Sequence, residues 1–298
     1  MKLSICVVTM NRANQLSEAL QSCLVCELPR ETEFVIIDNA STDHTEQVVK
    51  EMLDNSGYNY YYEKMPKNLG CGGGRNYAYS RSQGEIVYVL DDDAVIDIEK
   101  CRDFFARAIQ IFSDHPSVVT LTSQIYDTAW HKNRVEANGS AIDDGLYRQF
   151  MFCGGSHFLR KSFYTESPYL PNKYGYEELP PSLIAVDKGK INAFCPDLLI
   201  IHKPAVDKWN WDDEKNIWLL INYVALPYAI KKMMYPQVAH PMIKLFYHMR
   251  KRKHLKKAKD RHKADEVVKE VINSYKLEYR IRFKTFGKLV WCFRKTIL

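Results

Sequence analysis

Apolar positions along the first hundred residues switch between two periods. Leu3-Ser4-Ile5-Cys6-Val7-Val8-Thr9 is a short β-rich run, and Gln15 to Cys26 follows with the three-to-four spacing of an amphipathic helix. Phe34-Val35-Ile36-Ile37 reads as a second buried strand ending in Asp38-Asn39, and Ser41 to Glu46 supplies capping residues that open another helix. Tyr58 to Glu63 alternates like a third strand. Asn68 to Gly74 reads as a glycine-rich loop, Arg75 to Ser82 as a helix, and Glu85 to Leu90 as a fourth strand that delivers Asp91. Strands alternating with helices imply a parallel sheet covered on both faces. In open sheets of this kind ligands gather at the carboxyl ends of the strands. Asp38-Asn39, the glycine loop and Asp91-Asp92-Asp93 all fall there.

The second half is less regular. Val118 to Ile125, Phe150 to Leu159 and Ile191 to Ile201 predict strands that complete the same domain as a mixed sheet. After residue 205 the pattern changes to helical segments over Trp209 to Tyr223 and Ala225 to Met234, split by Pro227, with a further helix beginning near Met242. From Tyr275 to Leu298, Tyr, Phe and Trp alternate with Lys and Arg at roughly helical spacing.

Charge sharpens that boundary. The net charge of +6 conceals 22 Lys and Arg against 9 Asp and Glu from residue 206 onward, and 20 against 27 before it. Arg250 to Lys263 alone carries nine basic residues and one acid. Together with Trp209, Trp211 and Trp218, this composition predicts an interfacial, amphipathic region suited to an anionic membrane surface rather than to nucleic acid. A structural or oligomerising tail is the other reading. The overall 46% hydrophobic and 26% charged content excludes a disordered or fibrous chain.

Eight scattered cysteines, mostly inside apolar runs, read as the reduced, buried thiols of a cytosolic protein. Cys23 and Cys26 have the spacing of a redox or zinc pair, but no second pair completes four ligands. Met1-Lys2-Leu3-Ser4 leads straight into a strand without the pattern of a signal peptide. Ile217 to Ile230, the longest apolar stretch, falls short of the roughly 20 residues that span a bilayer. The expectation is a cytoplasmic protein, peripheral at the inner face of the plasma membrane.

Three adjacent carboxylates after a strand repel one another, so a compensating cation is expected. Hard oxygen ligands suit Mn²⁺ or Mg²⁺, and strand alternation puts Asp91 and Asp93 on one side. A solvated acidic turn is the competing reading of the triplet alone.

In order and spacing, several segments resemble the family-2 glycosyltransferases of the GT-A fold, over roughly residues 2 to 204. They are Ser4 to Thr9 with Asn11-Arg12; Val35-Ile36-Ile37-Asp38-Asn39-Ala40-Ser41-Thr42-Asp43; Asn68-Leu69-Gly70-Cys71-Gly72-Gly73-Gly74-Arg75-Asn76; and Gly84 to Asp93. The resemblance implies an α/β, Rossmann-like, mostly parallel twisted sheet flanked by helices. Residues 1–205 would form the catalytic domain, with a nucleotide-binding half over about 1–98 and an acceptor half over about 99–205. Residues 206–298 would be a helical, basic and aromatic extension.

The resemblance also implies roles. Asp93 would be the metal-coordinating acid of a DxD motif, with Asp91 near the ribose or the metal, Asp92 beside the donor, and His202, just after an apolar strand, as a third ligand. Thr9, Asn11, Arg12, Asp38 and Asn39 would meet the donor, the last two near its base. The Asn39 carbonyl can accept from a pyrimidine N3–H, which keeps UDP and dTDP donors in view. Asn68, Gly70 and Arg75 would face the diphosphate. Gly154-Gly155 would line the sugar site, although a strand with a glycine bulge explains them equally. Glu178 of Gly175-Tyr176-Glu177-Glu178-Leu179 would be the general base, with Glu177 as the alternative, at a helix start altered by Pro180-Pro181.

The implied activity is inverting transfer of a sugar to a hydroxyl of a glycan or polyprenyl-diphosphate-linked acceptor, in cell-surface polysaccharide or glycoconjugate synthesis. A catalytically inactive sugar-nucleotide-binding scaffold is the alternative, with Glu177 to Pro181 as a lost site.

Overall fold

A computed structural model describes residues 2–137, 139–204 and 216–292. The first half runs β1 (Leu3–Thr9), α1 (Ala13–Leu24), β2 (Thr32–Asp38), α2 (Thr45–Leu53), β3 (Asn59–Lys64), α3 (Gly70–Arg81) and β4 (Ile86–Asp91). The chain continues through β5 (Ala94–Ile96), α4 (Phe104–Asp114), β6 (Val118–Asp127), β7 (Lys132–Asn133), β8 (Ala141–Asp143), β9 (Leu146–Gln149), β10 (Ser156–Arg160), α5 (Leu179–Asp187) and β11 (Ile191–His202). Helices α6 (Ile217–Met234), α7 (His240–His254), α8 (Ala258–Tyr275) and α9 (Phe283–Cys292) follow.

One sheet runs in the order β3-β2-β1-β4-β10-β6-β11-β9-β8, with β5 on β11 and β7 on β6. The β3-β2-β1-β4 half is parallel throughout, and β10 enters antiparallel beside β4. Both faces of that half are covered, which is why its strands read as near-continuous apolar runs. Ile5, Val7, Phe34, Ile36, Tyr88 and Leu90 pack with α1 and α4, while Cys6, Val35, Ile37, Val87 and Val89 pack with α3. Tyr88, Phe104, Phe105 and Phe158 meet ring to ring at centroid distances of 4.3 to 6.3 Å.

Register decides what converges at the strand ends. Thr9 lies opposite Asp38, and Val8 opposite Asp91. The Asp91 N–H donates to the Gly155 carbonyl at 3.0 Å, which sets the two glycines beside the triplet. At the far side, β11 runs parallel to β6 with His202 opposite Asp127, and β5 turns back onto β11 with Ala94 opposite His202. This return brings the end of β11 alongside Asp93, whose carbonyl accepts the Lys203 N–H at 2.7 Å.

Four sequence expectations are corrected. Gly70 to Gly74 are the opening turns of α3 rather than a loop. The N–H groups of Cys71 and Gly72, which have no partner within the helix, donate to the carbonyls of Lys173 and Asn172 at 2.9 and 3.2 Å. That approach requires glycine, because a Cβ on Gly72 would stand 1.9 Å from the Leu170 carbonyl oxygen. Residues 150–155 are not strand; β10 starts only at Ser156, after the chain has bent at the site glycines. Pro227 does not split the helical segments, since α6 runs through it with Val224, Ala225, Leu226, Ala229 and Ile230 buried around it. Tertiary burial there outweighs the lost backbone hydrogen bond. From Tyr275 the helical spacing is realised only between Phe283 and Cys292. Trp209 and Trp211, and residues 293–298, lie outside the described residues.

Helices α6 to α9 share one apolar core with Leu179 and Leu183 of α5, Phe150 and Leu170. The C-terminal helices therefore pack directly behind the segment that carries Glu177 and Glu178.

Candidate active site

Asp91, Asp93 and His202 offer ligand atoms that all lie within 4.8 Å of one another. The His202 Nε2 is 3.1 Å from Asp93 Oδ1, and its Nδ1 is 3.0 Å from Asp127 Oδ2. Asp127 is fully buried and also accepts the N–H groups of Ala129 and Trp130 at 3.0 and 3.1 Å. A carboxylate fixed in this way orients the ring through Nδ1 and aims Nε2 at Asp93, the arrangement that stands behind metal-ligating histidines. Two carboxylates and one oriented imidazole fit Mn²⁺ or Mg²⁺.

The middle acid faces elsewhere. Asp92 Oδ1 pairs with Arg12 Nη1 at 3.0 Å, and the same nitrogen reaches Asp93 Oδ2 at 2.6 Å. Burial pushes the Asp92 pKa up to about 6 against the pull of Arg12. Arg12 thus ties the loop after β1 to the acidic turn after β4, and it lines the cavity.

Arg75 is the hub of the site. Its Nη1 lies 2.8 Å from Glu177 Oε1 and 2.7 Å from Glu178 Oε1, and its Nη2 lies 2.6 Å from Asp91 Oδ1 and 2.9 Å from the Gly154 carbonyl oxygen. Burial works against its charge, but the surrounding carboxylates outweigh that and keep it protonated. Where the sequence sets Arg75 toward a diphosphate, the structure sets it among three carboxylates. Glu178 is buried, and desolvation followed by the Glu177 charge raises its pKa to about 8 despite Arg75. Its backbone carbonyl accepts both the N–H and the hydroxyl of Ser182, at 3.1 and 2.7 Å. Pro180 and Pro181 sit in the first turn of α5, where a missing N–H leaves no helical bond unmade.

Asp91, Asp92, Asp93, Glu177, Glu178, Arg12 and Arg75 line one cavity of about 500 Å³, together with Thr9, Asn39, Asn68, Gly70, Gly154 and Gly155. Asn39 is held by its amide on the Gly70 carbonyl at 3.2 Å, and Asn68 accepts the Gly70 N–H at 2.7 Å. Asp38 and Asn11 are not in that lining. Asp38 is buried, accepting the Ser41 N–H and the Tyr62 hydroxyl at 2.7 and 2.9 Å, and Asn11, at φ 53°, accepts the Thr42 N–H at 2.7 Å. Both shape the turns that bring Thr9 and Asn39 to the cavity.

Sequence reasoning missed Asp127, Arg134, Lys173, Tyr174 and Trp218. Asp127 had a signal, an acid ending an apolar strand as Asp91 does; the others belong to loops or to α6 and meet the cavity only through packing. The Cys23 and Cys26 thiols are free and buried among α1 residues.

The model described as glycosyl transferase family 2 matches residues 4–167. The chain belongs to glycosyl transferase family 2. An uncharacterized glycosyltransferase of Nostoc sp. is 27% identical over 143 residues, covering 48% of this chain and 40% of that protein. The poly(ribitol-phosphate) β-N-acetylglucosaminyltransferase TarS of Staphylococcus aureus is 32% identical over 123 residues, covering 41% of this chain and 20% of TarS. This family-2 chain therefore spans well under half the length of either relative. Among solved structures, TarS 1-349 in complex with UDP-GlcNAc aligns with a TM-score of 0.58 at 18% identity, over 76% of this chain and 66% of that one. A mannosyltransferase from Pyrobaculum calidifontis in complex with GDP-Man and Mn²⁺ aligns with a TM-score of 0.59 at 17% identity, over 97% and 79%. At these identities the likeness carries the fold, which is the GT-A architecture of a mixed α/β layer around a mostly parallel central sheet.

Proposed function

We propose that this chain is an inverting glycosyltransferase that moves a sugar from a UDP or dTDP donor to a hydroxyl of a glycan or lipid-linked acceptor, in cell-surface polysaccharide or glycoconjugate synthesis. The observation that carries the reading is that Asp91, Asp93 and Glu178 open into one cavity, a cation-holding pair and a buried carboxyl with a near-neutral pKa. Asp91, Asp93 and His202 would hold Mn²⁺ or Mg²⁺. Bound there, the ion supplies electrostatic stabilisation of the charge that develops on a departing nucleoside diphosphate. The mannosyltransferase complex with Mn²⁺ and the TarS complex with UDP-GlcNAc support the metal and the uridine donor. Thr9, Asn39 and Asn68 bind the nucleoside side, the missing side chain of Gly154 makes room for the Glu178 carboxyl, and the sugar lies along the Gly154-Gly155 backbone.

Glu178 takes the proton of the acceptor hydroxyl as that oxygen attacks the anomeric carbon. A single displacement inverts the configuration there. A base whose pKa lies near the working pH transfers protons efficiently, and Arg75 fixes its position. Residues 1–205 act as the catalytic unit. The basic region over 206–298 places a cytoplasmic enzyme against the anionic inner face of the plasma membrane. Helix α7 supports this: Leu245 and Met249 are 59% and 57% exposed, between Lys244, Arg252 and Lys253. None of the described helices is long and apolar enough to cross a membrane.

Thermal melts with UDP-, dTDP- and GDP-sugars, with and without Mn²⁺, test the reading, because a ligand bound to the native state raises the melting temperature. Cation-dependent stabilisation by a uridine or thymidine donor is the expected result. No stabilisation by any nucleotide sugar in the presence of Mn²⁺ or Mg²⁺ overturns it.

A further inference from the structure

The wall of the cavity that Glu178 opens into is built in part by the segment preceding Glu177 and by α6: Lys173, Tyr174, Gly175 and Trp218. We infer that Tyr174, Trp218 and Lys173 form the acceptor subsite, and that it takes a carbohydrate carrying an anionic group. The inference rests on the reading of Glu178 as the base of a sugar transferase, since the accepting hydroxyl must lie against that carboxyl.

Three observations support a built platform. The Tyr174 and Trp218 rings meet edge to face, with centroids 6.0 Å apart, and Trp218 stays 43% exposed, so an aromatic surface is presented at the mouth. Indole and phenol faces pack well against the C–H faces of sugar rings while a polar edge remains wet. The segment is also held rigidly. Gly175 and Tyr176 both have left-handed backbone, at φ 93° and 60°, a conformation costly for tyrosine. The Tyr176 hydroxyl accepts from Arg250 Nη2 at 3.2 Å, and the Arg250 guanidinium lies 4.0 Å above the Tyr223 ring, so α6 and α7 clamp that turn. Finally, the wall carries Lys173 and Arg134, cations separate from the Arg12 and Arg75 ion pairs. Arg134 Nε lies 3.4 Å from Asp127, whereas Lys173 is exposed. Exposed positive charge at an acceptor mouth selects for phosphate or carboxylate on the incoming glycan.

The test uses full-length protein saturated with UDP and Mn²⁺, titrated with methyl glucoside, glucose 6-phosphate and methyl glucuronoside and followed by ligand-observed NMR. Wild type is expected to bind one or both anionic probes at least about tenfold more tightly than the neutral one. The stronger of the two shows whether phosphate or carboxylate is read. Lys173→Glu should abolish the preference. Trp218→Ala should weaken all three about tenfold, with Trp218→Phe restoring part of the loss. Equal or absent binding of all three to wild type, or binding indifferent to Trp218→Ala, overturns the subsite. UDP-dependent stabilisation measured on the same samples separates the two failures. If it is present without acceptor discrimination, only the subsite falls; if it is absent from wild type, the transferase reading falls with it.

Discussion

A Cβ added to Gly154 would stand 1.9 Å from Oε1 of Glu178, so the backbone of one residue and the carboxyl of the other occupy space that only glycine leaves. Arg75 Nη1, 2.7 Å from the same point, cannot yield without breaking its pairs. Gly154→Ala is therefore expected to displace Glu178. A shift of about 1 Å at a reacting group costs roughly 10² in rate, and overpacking costs about 1–3 kcal/mol of stability. Turnover and thermal melts on the same preparation check it; full activity in a folded Gly154→Ala protein would remove Glu178 from the chemistry.

Glu178→Gln should bind UDP with Mn²⁺ as wild type does yet lose about 10² to 10⁴ in kcat. A dead Glu177→Gln beside an active Glu178→Gln would move the base by one residue.

The pH profile follows from the same carboxyl. Glu178 is protonated below its pKa, and only the ionised form accepts a proton, so kcat/KM should climb with pH through about 8. Glu177→Gln removes the like charge that, after burial, raises that pKa. The rising limb should then move to lower pH, as read from kcat/KM between pH 5 and 10. An unmoved limb would separate Glu177 from the titration.

Asp127→Asn keeps an acceptor for the Ala129 and Trp130 N–H groups but removes the charge behind His202. Loss of such a partner weakens metal binding about 10- to 100-fold. Mn²⁺ titrations of UDP-dependent melting should show it, with the melting temperature in the absence of metal little changed.

Lys231, buried in α6, has its pKa lowered to about 7 by burial and then by the Arg250 charge. Its unfolded pKa is higher, so the unfolded chain binds more protons between about 7 and 10.5, and stability rises with pH across that window. Lys231→Met should lack this slope. Its advantage over wild type should be greatest below about pH 7, up to about 5 kcal/mol, and fade toward pH 10.5. Urea unfolding of both proteins at pH 6, 8 and 10 measures the difference; a constant offset would contradict it.

Much of the fold was legible because burial on both faces leaves a plain trace. The runs Ile5-Cys6-Val7-Val8 and Phe34-Val35-Ile36-Ile37 read as parallel-sheet strands, since a half-exposed strand alternates apolar with polar positions and these do not. The acidic triplet was legible because three adjacent carboxylates at a strand end repel one another unless a cation joins them, whereas Glu178 was reached only through the resemblance to family-2 glycosyltransferases. Gly70 to Gly74 misled, because local propensity reads five residues with four glycines as a loop. Whether another backbone fills the space where a Gly72 Cβ would stand is decided by the Leu170 carbonyl, far along the chain.

The same division holds for the site. By itself the sequence determined which strands end in Asp38, Asp91 and His202, and which residue types are available there for a cation and a proton. Only the tertiary structure decided their partners. It turned Arg75 from the phosphate side into a ring of carboxylates, set Asp127 behind His202 through the register of β6 on β11, and brought Trp218 of α6 to the cavity. Those assignments depend on ladder register and helix packing between elements distant in the chain, and local periodicity carries no information about them.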